Sequence, residues 1–106
     1  AFMKPLPEAR ALASSLVGAG NANGVRTRAL ITAMDAPLGR AVGNALEVRE
    51  SIETLQGNGP RDIEMLSVVL AAQMVHLGGL AGSREEAEAK VRDALASGRG
   101  LEKLRQ

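Results

Sequence analysis

Apolar and polar positions alternate along this chain at two different periods, and the changes between them mark its elements. Residues 1–4, AFMK, make a short apolar entry. Ala9, Leu12, Ala13, Leu16 and Val17 then fall at helical spacing. Pro5 and Pro7 stand before them, where a missing N–H is no loss, and Glu8 suits the positive end of the helix dipole. The helix is predicted to bury one stripe and to end at the cluster Gly18, Gly20, Asn21, Asn23 and Gly24. Val25 to Thr32, VRTRALIT, is rich in β-branched residues and becomes apolar towards its end, which predicts a strand. A lone strand cannot pair its own N–H and C=O groups, so its partners have to come from a missing part of a parent chain or from another copy.

From Pro37 to Leu55, PLGRAVGNALEVRESIETL, the pattern turns through Pro37 and Gly39 into a helix. Val42, Ala45, Leu46 or Val48, Ile52 and Leu55 form its apolar face, and Gly57, Asn58 and Gly59 stop it. Pro60 opens the next helix, with Asp62 and Glu64 in its first turn. Its stripe of Ile63, Leu66, Leu70, Met74 and Leu77 is widened by Met65, Val68, Val69, Ala72 and Val75. A helix so apolar is expected to be covered on several sides, by neighbouring helices or by a second subunit. Ser83 and Glu86 have the spacing of a capping box, opening a helix through Ala87, Val91, Ala94 and Leu95. Leu101 and Leu104 predict one or two further helical turns. The chain therefore reads as mainly α.

Composition removes several classes of function. The 106 residues carry 13 basic and 12 acidic side chains, a formal charge of +1, with one Phe and no Trp or Tyr. Neither a basic face nor stacking aromatics recommend nucleic acid as a partner. The absence of Cys excludes disulfides, thiolate nucleophiles and Cys-based metal sites. No apolar run reaches membrane-spanning length, so no membrane partner is expected and a cytoplasmic location is the default. The chain begins AFMK and ends KLRQ inside a helical pattern, and is expected to be a piece of something longer.

Few side chains propose chemistry by themselves. His76 is the sole histidine, lies late in the most apolar helix and has no other strong ligand spaced with it, which reads as a structural or interface residue. Glu47 and Glu50 lie on about the same side of a helix, but acid–base work would need environments that separate their pKa values, and a solvated face is the ordinary reading. Gly39 and Gly43 with Asn44 form a sparse glycine loop without the Gly-x-Gly-x-x-Gly spacing or a Lys-Ser/Thr pair. Turn geometry accounts for Gly39, and close helix packing for Gly43. Arg26, Arg28 and Arg40 could receive an anion, although a lining of solvated charges is commoner.

The text AFMK, then a helix, a predicted strand and DAPLGRAVGNALEVRESIETLQGNGPRD at 35–62, closely resembles the thymidine phosphorylase and pyrimidine-nucleoside phosphorylase family over essentially the whole chain. Anthranilate phosphoribosyltransferase is similar in fold. The resemblance implies a homodimer of two-domain subunits that cleaves thymidine, uridine or deoxyuridine with inorganic phosphate as co-substrate. It implies that 1–36 is an αβ segment of a larger mixed α/β domain, and that 37–106 is the hinge and helices of the helical domain. The family's Lys-His-Ser-Thr-Gly-Gly phosphate loop and its pyrimidine-holding residues would lie upstream of Ala1, leaving no catalytic or substrate-binding residue here. What the resemblance does carry over is half of a potassium site, at Leu38, Ala41 and Glu50, with backbone oxygens expected from the first two and a carboxylate from the third. The rival expectation is a free-standing helical module that dimerises through Met65 to Leu77.

Overall fold

A computed structural model describes residues 5–106, so the apolar entry at 1–4 lies outside the described residues. Five helices are described, α1 (Leu6–Ala22), α2 (Asn44–Leu55), α3 (Arg61–Leu77), α4 (Arg84–Ala96) and α5 (Arg99–Arg105), and no strand is formed among the described residues. The mainly α expectation holds. The chain divides after Ala36 into two compact units.

In the first unit α1 outlasts its predicted end, passing through Gly18 and Gly20 to Ala22. A glycine inside a helix costs roughly 1 kcal/mol relative to alanine, and Gly20 has a packing reason to be there. A Cβ at that position would collide with the Thr27 side chain, which folds back over it. The return is fixed by Val25 N–H donating to Gly20 O at 3.0 Å and Thr27 N–H donating to Asn21 Oδ1 at 3.0 Å. Beyond it, the strand expected over Val25–Thr32 does not form. A strand exists by exchanging hydrogen bonds with a neighbour, and among the described residues no second strand is formed to exchange them. The predicted stripe of α1 is also incompletely covered: Ala9, Ala13 and Val17 are half-buried, while Leu12 and Leu16 are exposed.

The second unit is built on α3 and α4. Ala72, Ala81 and Ala87 form its centre, with Val75 and Val91 packed around them, and Val68 is buried one turn before Ala72 on α3. Small side chains at the contact let two helices come close, which is why alanines rather than leucines are the most buried residues. The stripe expected to lead α3 into the core is thus corrected. Leu70 and Met74 are exposed, and the buried line runs through Val68 and Ala72, from the set assigned only to widen it. α5 packs on α4 and α2.

Three helices end alike. After α1, α2 and α3 the chain reverses through Gly24, Gly57 and Gly79, each at φ near +80°. Paired bonds close each end, as in Leu80 N–H to Val75 O at 3.1 Å and Gly79 N–H to His76 O at 3.0 Å. The start of α4 departs slightly from the capping box. Ser83 Oγ accepts from Glu86 N–H at 3.1 Å as expected, but the Glu86 carboxylate reaches one residue further, to Gly82 N–H at 2.9 Å. Replacing Ala87, which is fully buried, by Leu is expected to cost roughly 1–3 kcal/mol by overpacking. Met74→Ser, on an exposed position, should stay within about 0.5 kcal/mol. Urea unfolding followed by circular dichroism measures both, and equal effects would refute this placement of the core.

Candidate functional site

The loop 37–43 and the helix that follows it make the most ordered polar arrangement of the second unit. Glu50 stands two turns into α2 and is only 7% exposed. Its Oε1 accepts from Arg40 N–H at 2.9 Å and from Ala41 N–H at 3.1 Å. Asp62, in the first turn of α3, accepts from Gly39 N–H through Oδ2 at 2.8 Å. Three successive backbone amides are therefore taken by two carboxylates from two helices. Glu47 acts in the same manner at the end of the loop, accepting from Gly43 N–H at 2.9 Å. Thr54 Oγ1 donates to Glu50 O at 2.8 Å behind them, and among the described residues no buried side-chain polar atom lacks a partner.

Two glycines give this loop its shape, for different reasons. Gly39 lies at φ +72°, and a Cβ on it would strike Glu50 Oε2 and Ile63 Cδ1. It is both a turn and a close approach. Gly43 lies at φ +120° with open space around its missing Cβ. The expected close helix packing at Gly43 is therefore replaced by a demand of the backbone alone.

The electrostatics follow from the same bonds. The Gly39 N–H holds the Asp62 carboxyl below its ordinary value of 3.8, opposed by partial desolvation and helped by further backbone amides and the Arg40 charge. Glu86 is likewise lowered, first by Gly82 N–H and then by Lys90, whose ammonium lies 3.1 Å from it.

The structure separates the sequence candidates clearly. Glu47 and Glu50 are not an acid–base pair, since each is committed to backbone amides, and the solvated face expected for Glu50 is corrected to a buried one. Ala41 is joined to Glu50 directly, and Leu38 adjoins Gly39 at the start of the clamped stretch, with its own side chain exposed. His76 is half-buried in the last turn of α3. Arg26 and Arg28 are exposed in the first unit and Arg40 in the second. Asp62 is the participant that sequence reading missed. Its first-turn position was legible, but its partner Gly39 lies 23 residues earlier.

A carboxylate combined with backbone carbonyl oxygens would be a hard donor set, of the type that suits an alkali or alkaline-earth cation rather than a transition metal; the loop bonds of Glu50 itself are to backbone N–H groups. Among the described residues no three His, Asp or Glu side chains are grouped as metal ligands. Any cation held here would depend on carbonyl oxygens. Separately, a cavity of about 450 Å³ opens between α2, α3, α4 and α5, bordered by Thr54, Leu55, Ile63, Val68, Val91 and Leu95. Among the described residues no helix is long and apolar enough to cross a membrane.

With this geometry in hand, comparison places the chain in a class. The family described as "Glycosyl transferase family, a/b domain" matches residues 1–101, and the chain belongs to it. Its similar relatives include the pyrimidine-nucleoside phosphorylases of Staphylococcus aureus strains USA300 and N315, each 50% identical over 105 residues. The matches cover 99% of this chain and 24% of those relatives, so the chain spans about a quarter of their length.

Glu50→Ala would leave the Arg40 and Ala41 amides without their acceptor and is expected to destabilise the second unit by about 1–3 kcal/mol. Chemical denaturation would detect it, and an unchanged midpoint would show that the clamp contributes nothing. The acid limit of the Asp62 bond also follows. A carboxyl lowered on folding contributes stability that is full above its ordinary value and is lost as pH falls through the lower folded value. The Gly39 amide resonance is therefore expected to titrate with a midpoint below 3.8. In Asp62→Asn that titration should vanish; its persistence would assign it to another group.

Proposed function

We propose that this chain is one segment of a phosphorylase acting on pyrimidine nucleosides. Such an enzyme transfers the sugar of thymidine, uridine or deoxyuridine to inorganic phosphate, giving free base and a (deoxy)ribose 1-phosphate. The observation that carries the reading is 50% identity along 99% of the chain to relatives bearing that name. Because the family match runs without a break through residues 1–101, the proposal assigns both units to the a/b domain. It thereby departs from the expectation that 37–106 is hinge and helical domain.

In the reaction a phosphate oxygen attacks the anomeric carbon as the base departs with the glycosidic electron pair, a displacement that depends on positioning and on stabilisation of developing charge. The residues of this chain are assigned a supporting part in it. Leu38 and Ala41 would offer backbone carbonyl oxygens and Glu50 a carboxylate to a potassium ion, completed by a phosphate loop elsewhere in the parent enzyme. The hard donor types support that assignment, and the Ala41 N–H bond keeps the Glu50 carboxylate beside the loop. When bound, the ion would add positive field beside the phosphate. Glu50 holds the loop in shape through its two amide bonds, and the buried side of α2 keeps that carboxylate from open water. Homodimeric assembly belongs to the same proposal and rests on the resemblance, and a cytoplasmic location is proposed with it.

The full-length protein carrying this segment is expected to release uracil or thymine from the nucleoside only when phosphate is supplied, with sugar 1-phosphate formed in equal amount. The isolated 106-residue chain should release none. Phosphate-independent release by the full-length protein, or turnover by the isolated chain, would overturn the reading; product analysis by chromatography decides it.

A further inference from the structure

We propose that Asp62 is a positioning residue that aims the Leu38 carbonyl oxygen, and so sets the affinity of the loop for a monovalent cation. The inference rests on the cation reading above and adds to it a residue outside the donor set.

Leu38 C=O and Gly39 N–H belong to one peptide unit, and no described peptide bond is cis. In a trans peptide these two groups point in opposite directions and turn together. Asp62 Oδ2 takes the Gly39 N–H at 2.8 Å, which directs the Leu38 oxygen away from the Asp62 carboxylate. Glu50 takes the N–H groups of the next two peptides, so its grip falls on the carbonyls of Gly39 and Arg40. The orientation of the first oxygen is thus assigned to α3 and that of the following ones to α2.

The plane needs such a hold because it borders a glycine. At Gly39 both signs of φ are accessible at low cost, so sterics alone do not prevent the peptide from rotating. A hydrogen bond to a charged acceptor selects one orientation. The acceptor is well placed to do so, since Asp62 is fixed in the first turn of a 17-residue helix whose next turns reach the buried Val68 and Ala72. It is also exposed, so the core does not depend on it. Oriented second partners of this kind tune a site without touching the ion.

The structural alternative is that Asp62 only favours the start of α3 through the helix dipole. Potassium binding by the full-length protein separates the two, with calorimetric titration of potassium chloride against a tetramethylammonium chloride background of constant ionic strength. Asp62→Ala is expected to weaken potassium about tenfold. Asp62→Ser, which suits a helix start but is too short to reach Gly39, should weaken it to a similar extent, and Asp62→Asn, which keeps an acceptor oxygen, should recover most of the loss. Glu64→Gln, in the same first turn, should leave affinity unchanged. The rise in Tm produced by potassium should shrink in Asp62→Ala and Asp62→Ser, whereas a dipole role would lower Tm equally with and without the ion. Unchanged affinity in both Asp62 variants, beside clear binding by the unsubstituted protein, overturns the role of Asp62 alone. No potassium binding by the unsubstituted protein overturns the cation reading, and this role with it.

Discussion

Glu50 joins the parts of the second unit that carry its chemistry. A carboxylate removed from water needs donors, and this one obtains them from the backbone of the turn that precedes its own helix. Loop 37–43 is consequently held from inside, by a side chain ten residues further along, as well as shaped by its own glycines. The glycine at 39 is the complement of that arrangement, because a side chain there would occupy the place of the carboxylate. Asp62 extends the same device to a second helix, so that the loop is held between α2 and α3.

The core beneath is small. Its most buried residues are Val68, Ala72, Ala81 and Ala87, while leucines and methionines that a self-sufficient domain would cover stand exposed on α1, α2 and α3. Leu16 and Met74 are each 60% or more accessible. Burial of a large apolar side chain is worth about 1.5–3 kcal/mol, so each such residue left in water forgoes one of the main sources of stability available to a short chain. A chain spanning a quarter of its relatives' length, with partly covered stripes and no sheet among its described residues, has the physical character of a segment whose neighbours complete it.

Much of the fold was legible locally. Helix starts at Pro60 and Ser83 and reversals at Gly57 and Gly79 were visible because caps and left-handed turns are decided within a few residues. What went astray depended on contacts. Gly20 looked like a terminator and is a packing surface for Thr27. Leu70 and Met74 looked like core and are not, because periodicity defines a face without saying how much of it a neighbour covers. Val25–Thr32 looked like a strand, and its composition suits one, but strands are pairs and no second member forms among the described residues.

The loop that resembles a family motif shows the same division. The run PLGRAVGNALEV was enough, as text, to place the chain in its class, and the family match over residues 1–101 agrees. Helical spacing gave Glu47 and Glu50, three residues apart on one helix, the same solvated face, and only the resemblance set Glu50 apart. Only the folded chain decides that one of them is buried against two amides and the other stays at the surface. Nor could spacing join Asp62 to Gly39, which are 23 residues apart. The sequence by itself determined the helices, their turns and the family, because those depend on neighbours along the chain. The tertiary structure decided which carboxylates hold the loop, because that depends on α2 and α3 meeting around Gly39, where the absence of a side chain leaves room for them.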